Sequence, residues 1–108
     1  MVMDYSKAAG LISNAEHNLF TGPFSETFII KDLETRKTAD TPGEYAGTTD
    51  KLDEKKRFYI QYYSEWQSSL DAVLEWLRTN QPWDSSLISS CETCKDQVTS
   101  LFELVRRF

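Results

Sequence analysis

The sequence predicts an all-α protein: a three- or four-helix bundle built on a long antiparallel helical hairpin. Three observations predict it. Apolar residues recur at steps of three and four in three stretches, a spacing that keeps one stripe on one side of an α-helix and that no strand can use. Asp50 to Asn80 contains neither glycine nor proline. Only Gln81, Pro82 and Trp83 then separate Asn80 from Asp84, so the two longest helices must turn back on each other as neighbours.

The first helix is expected over about residues 4–20. Asp4 is a good N-cap, and Tyr5, Ala8, Ile12, Ala15 and Leu19 form its stripe. Ala8, Ala9 and Ala15 make that face small, which lets a neighbour approach closely, while Gly10 costs up to about 1 kcal/mol relative to alanine. Thr21-Gly22-Pro23 should end it, with Gly22 in the left-handed conformation and Pro23 blocking continuation.

Residues 25–37 fit either a short helix capped by Ser25, with Phe28, Ile29 and Leu33 turned inward, or a strand over Thr27 to Asp32. The helix is the favoured reading. Thr38 to Thr49, with Pro42, Gly43 and Gly47 among threonines, reads as a loop longer than the usual connection.

The second helix is expected over about residues 50–80. Asp53 and Glu54 suit the positive end of its dipole, and Asn80 and Pro82 stop it. Its main seam is Tyr59, Tyr63, Trp66, Leu70, Val73 and Leu77, with Phe58, Tyr62, Leu74 and Trp76 beside it. The third helix, about 84–108, starts on Asp84 and carries Leu87, Cys91, Cys94, Val98, Leu101, Val105 and Phe108. Arg106 and Arg107 sit in its last turn, where cations are favoured. These stripes are too wide for a two-helix pair, so the first helix and Phe24, Phe28, Ile29 and Leu33 are expected to cover them. Any surplus would be an interface, with another protein or with a second copy as a homodimer.

The chain of 108 residues is a single domain by length, and its net charge of −5 without an acidic block argues against a general polyanion binder. Two cysteines cannot staple a secreted scaffold, and no apolar run approaches the ~20 residues of a membrane span. The first ten residues include Asp4 and Lys7 and lack the apolar core of a signal peptide. The expected compartment is the cytoplasm, with no membrane contact.

No motif dictates a chemistry. Cys91-Glu92-Thr93-Cys94 has redox spacing, yet both thiols fall on the apolar seam in mid-helix, where they act as small hydrophobes. Zinc needs four ligands, and His17, the only histidine, lies off the seam of its own helix. Neither a metal nor another cofactor is expected. His17 is also the only imidazole base, and its helical phase keeps it from pairing with either cysteine. Glu16, Glu65, Glu75 and Glu103 flank the seams as a solvated face. The string Ser90 to Lys95 resembles the opening of a saposin-like domain, but four of that family's six cysteines have no counterpart, and no role is carried over.

What remains is a non-catalytic protein–protein interaction module: a small acidic adaptor, inhibitor or assembly subunit. The candidate binding residues are Phe58, Tyr62 and Trp76 on the aromatic helix and Tyr45 at the centre of the long loop, since tyrosine and tryptophan dominate binding hot spots. Trp83 is expected to plug one end of the fold. The alternatives are a thiol redox or metal-binding module using Cys91 and Cys94, and a weak nucleic-acid binder through Lys51, Lys55, Lys56 and Arg57 beside the aromatics.

Overall fold

A computed structural model describes residues 3–39 and 48–108. It is all-α. Four helices follow in order: α1 (Tyr5–Glu16), α2 (Glu26–Ala39), α3 (Thr48–Asn80) and α4 (Ser85–Arg107), and no strand occurs among the described residues. The segment 25–37 is therefore helical from Glu26 onward. The expected loop 38–49 shrinks at both ends, because α2 continues through Ala39 and α3 begins at Thr48. No described helix is long and apolar enough to cross a membrane.

Local chemistry sets the ends. Asp4 accepts the Lys7 N–H at 2.8 Å, and Asp84 accepts the Leu87 N–H at 3.0 Å, so both act as N-caps. Asn80 closes α3, its side-chain amide donating to the Trp76 carbonyl at 3.0 Å.

The first helix does not stay α-helical to its end. His17–Thr21 widens into a π-helical turn, in which the Gly22 N–H reaches back to the His17 carbonyl at 2.7 Å and the Thr21 hydroxyl donates to the same oxygen. Gly22 is extended, with φ −87° and ψ −168°, not left-handed as expected. Pro23 is the reason: a residue before proline is driven to extended backbone. Glycine serves there for space, because a Cβ would lie 3.0 Å from the His17 carbonyl oxygen and 3.1 Å from the Asn18 Cα.

The side-chain pairs show how the elements lie. Tyr63 of α3 meets Phe102 of α4, Asp71 pairs with Lys95, and Arg78 pairs with Glu92. Leu11 of α1 shares a groove with Trp66 and Ser69 of α3, and Tyr5 reaches Asp84 at 2.9 Å. Phe24 then meets Tyr62, and Asp32 of α2 meets Tyr59. So α1 and α2 occupy successive stretches of the long helix. The core runs through all four helices, from Ala8, Ile12, Ala15 and Leu19 through Ile29, Leu33 and Leu52 to Tyr59, Tyr63, Leu70, Val98 and Val105.

Three packing expectations fail. Tyr5, placed on the α1 stripe, is half exposed and reaches Asp84 instead. Phe28 is half exposed, because α2 turns only Ile29 and Leu33 of the expected trio inward. Trp83 plugs nothing: it is 74% exposed, on the outside of the turn that Gln81 closes by accepting the Asp84 N–H.

Candidate functional site

The aromatic face of α3 is built from a one-turn repeat. Tyr59 and Tyr63 point inward and are fully or almost fully buried, while Phe58 and Tyr62 flank them nearer the surface. Burial of two tyrosines requires partners for two hydroxyls, and both find them on the opposite chain segment. Tyr59 donates to Asp32 Oδ2 at 2.6 Å, and Asp32 is held in turn by Arg36 at 3.2 Å. Tyr63 donates to the Phe24 carbonyl at 2.7 Å. Burial raises the pKa of both phenols well above the usual tyrosine range, and the Asp32 carboxylate adds to the effect at Tyr59. Both phenols therefore stay neutral and keep donating.

Phe24 completes the face from outside α3. It follows Gly22-Pro23 in the short joint between the π-helical turn and α2, and its ring stacks on Tyr62 with centroids 3.8 Å apart. It lies 6.2 Å from Phe58 and meets Tyr59 edge-on at 6.1 Å. Lys55 sits over two of these rings, its ammonium 4.7 Å from the Phe58 centroid and 5.2 Å from that of Tyr59. Phe58 is thus held on several sides and is still 47% exposed. It borders a groove of about 390 Å³ with Arg36, Glu54 and Lys55, and Tyr62 borders a smaller one of about 180 Å³ with Leu11, Glu65, Trp66 and Ser69.

Of the four candidate binding residues, Phe58 and Tyr62 therefore share one surface. Trp76 does not join them. It lies about 21 Å further along α3 by helical rise, half-buried against the core. Tyr45 lies outside the described residues. Phe24, expected to help cover the α3 stripes, does so by stacking on Tyr62 and approaching Phe58; it is not among the candidate binding residues expected from the sequence.

The other constellations separate cleanly. Cys91 and Cys94 are free and fully buried. The Cys91 thiol donates to the Leu70 carbonyl at 3.4 Å. Burial pushes its pKa up to about 11 against the opposing pull of Lys95, and pushes that of Cys94 up to about 12 with help from Glu16. A thiol so placed is a poor nucleophile at neutral pH. His17 is exposed and its ring Nδ1 lies 3.4 Å from the Thr21 hydroxyl. Glu16, Glu65, Glu75 and Glu103 all face solvent. Among the described residues, no three His, Cys, Asp or Glu side chains converge as a metal site. In the basic cluster, Lys55 is engaged with rings, Lys56 is half-buried and Arg57 is exposed; the side chain of Lys51 lies outside the described set.

No family model, no curated protein and no solved structure matches this chain.

Proposed function

We propose that this chain is a non-catalytic protein–protein interaction module whose partner seats on the aromatic face around Phe58. The scaffold we infer behind that face is a long antiparallel hairpin of α3 and α4, closed by α1 and α2 into a four-helix bundle. Adaptor, inhibitor and assembly subunit are the roles open to such a module.

The observation that carries the reading is the state of Phe58. Its ring is packed by Phe24, Tyr59 and Lys55, yet nearly half of it faces water. A large apolar side chain already ordered in the free protein loses little conformational entropy on binding, which is what an interface anchor needs. Tyr62 and Arg36 supply polar tips at the border of the same surface, and both residue types are common at hot spots. The burial and raised pKa values of Cys91 and Cys94 weigh against a thiol redox or metal role. The ring contacts of Lys55 and the net charge of −5 weigh against nucleic acid.

The test is parallel affinity capture from the native host with the wild type and with Phe58→Ala, together with sedimentation of each. The reading expects a partner, or a second copy, held by the wild type and lost by the variant while the variant stays folded by circular dichroism. Equal capture and equal mass for both proteins would defeat it.

A further inference from the structure

A second aromatic surface lies apart from the Phe24–Phe58–Tyr62 cluster. Phe20, in the π-helical turn, and Phe28, in the first turn of α2, are 44% and 50% exposed. Both line one open groove of about 670 Å³, with Pro23 between them in sequence. Paired exposed rings in a concavity differ from scattered exposed apolar residues, which need no explanation.

The groove is preformed. Its floor is the joint itself, where the Gly22 N–H holds the His17 carbonyl at 2.7 Å and the Ser25 N–H holds the Gly22 carbonyl at 3.1 Å. Its lining carries one formal cation, Lys31. His17 and Lys31 line it and no carboxylate does, although the chain as a whole is acidic, with 17 carboxylates against 12 lysines and arginines. Among the described residues Lys31 takes part in no ion pair. Two exposed rings with a lysine at the rim and no carboxylate among the lining residues are complementary to an apolar anchor flanked by carboxylates.

We propose that this groove docks an acidic peptide segment of a partner protein, one large apolar side chain lying between Phe20 and Phe28 and neighbouring carboxylates meeting Lys31 and His17. The proposal rests on the interaction-module reading and names the chemistry of the segment recognised. A second copy is the poorer occupant, because the same groove on that copy offers no carboxylate to meet Lys31. A basic segment offers none either.

The experiment is calorimetric titration of the full chain with a short synthetic peptide of leucine, phenylalanine, aspartate and glutamate, and with its counterpart carrying lysine at every acidic position. The acidic peptide is expected to bind saturably and about tenfold or more tighter than the lysine one, a difference that shrinks at high salt. Phe28→Ala and Lys31→Glu should each weaken it about tenfold, with circular dichroism and melting unchanged, since both side chains are exposed. Phe58→Ala should leave this titration unaltered. Absent binding, equal binding of the lysine peptide, or indifference to both groove variants overturns the proposal. So does a concentration-dependent dimer abolished by Phe28→Ala, which would assign the groove to a second copy. If the peptide is ignored while Phe58→Ala still loses a captured partner, the module stands and only the groove proposal falls. If the groove variants lose the peptide while capture is blind to Phe58→Ala, the aromatic face is wrong and the groove is right.

Discussion

The hydroxyl of Tyr63 donates to the backbone carbonyl of Phe24, 39 positions earlier, at 2.7 Å. That bond ties the middle of the long helix to the joint where α1 gives way to α2. It satisfies a carbonyl at that joint and fixes the ring that stacks on Tyr62. Tyr63→Phe keeps the ring and deletes the donor. The expected cost is about 1–2 kcal/mol, that of leaving a part-buried acceptor unpaired. Urea titration should show a lower midpoint with an unchanged slope.

Two glycines should respond to the same substitution with opposite signs. Gly10 lies exposed within α1, and a Cβ there would meet nothing within 4 Å. Gly10→Ala should therefore stabilise by about 0.5–1 kcal/mol through helix propensity. At Gly22 the added carbon runs into backbone atoms that cannot swing aside. Gly22→Ala should lower stability by about 1 kcal/mol or more, with strain around the π-helical turn. Paired thermal melts check both.

The thiols should be silent in the native state. A disulfide-exchange reagent at neutral pH is expected to label Cys91 and Cys94 at the rate of protein opening, so the rate should track stability across mutants. The linkage has a definite sign. Both thiols titrate near 9.0 when unfolded and at about 11 and about 12 when folded. Stability from them is complete below pH 9 and declines as pH rises through the folded values, because only the unfolded chain gives up those protons easily. Cys91→Ala with Cys94→Ala should flatten that decline in alkaline urea titrations.

Phe58 and Tyr62 should divide by their packing. Phe58→Ala removes a half-exposed ring and should cost about 1 kcal/mol, its covered half being packed by Phe24, Tyr59 and Lys55. Tyr62→Ala uncovers the Phe24 ring stacked on it at 3.8 Å and should cost about 1–2 kcal/mol. Melting both variants beside the wild type distinguishes a presented side chain from a supporting one.

Most of the helical architecture was readable because it rests on local rules. The stripes in α1, α3 and α4, the Asp4 and Asp84 caps, and the stop at Asn80 each follow from spacing and side-chain type, and they hold except at Tyr5, which is half exposed. The misses fall where partners decide. Gly22 looked like a left-handed terminator, but the π-helical turn and Pro23 together set it extended. Phe28 and Ile29 are adjacent and similar in hydrophobicity, and only the placement of α3 determines that Ile29 is inside. Trp83 was expected to plug one end of the fold, whereas it stands outside the turn and is 74% exposed. At the candidate site, Phe58 and Tyr62 were legible from helical phase. That Phe24 would cover them was legible from the width of the α3 stripes, but not its stacked geometry on Tyr62, which spans two elements whose relative placement no periodicity encodes.

The outward tryptophan also makes the molecule its own reporter. Of its three indoles, Trp83 stands in water, while Trp66 and Trp76 are half-covered along α3. Emission should therefore be a mixture, with a red component that iodide quenches first. The light that survives comes from the long helix alone, a dye-free readout of events on its surface.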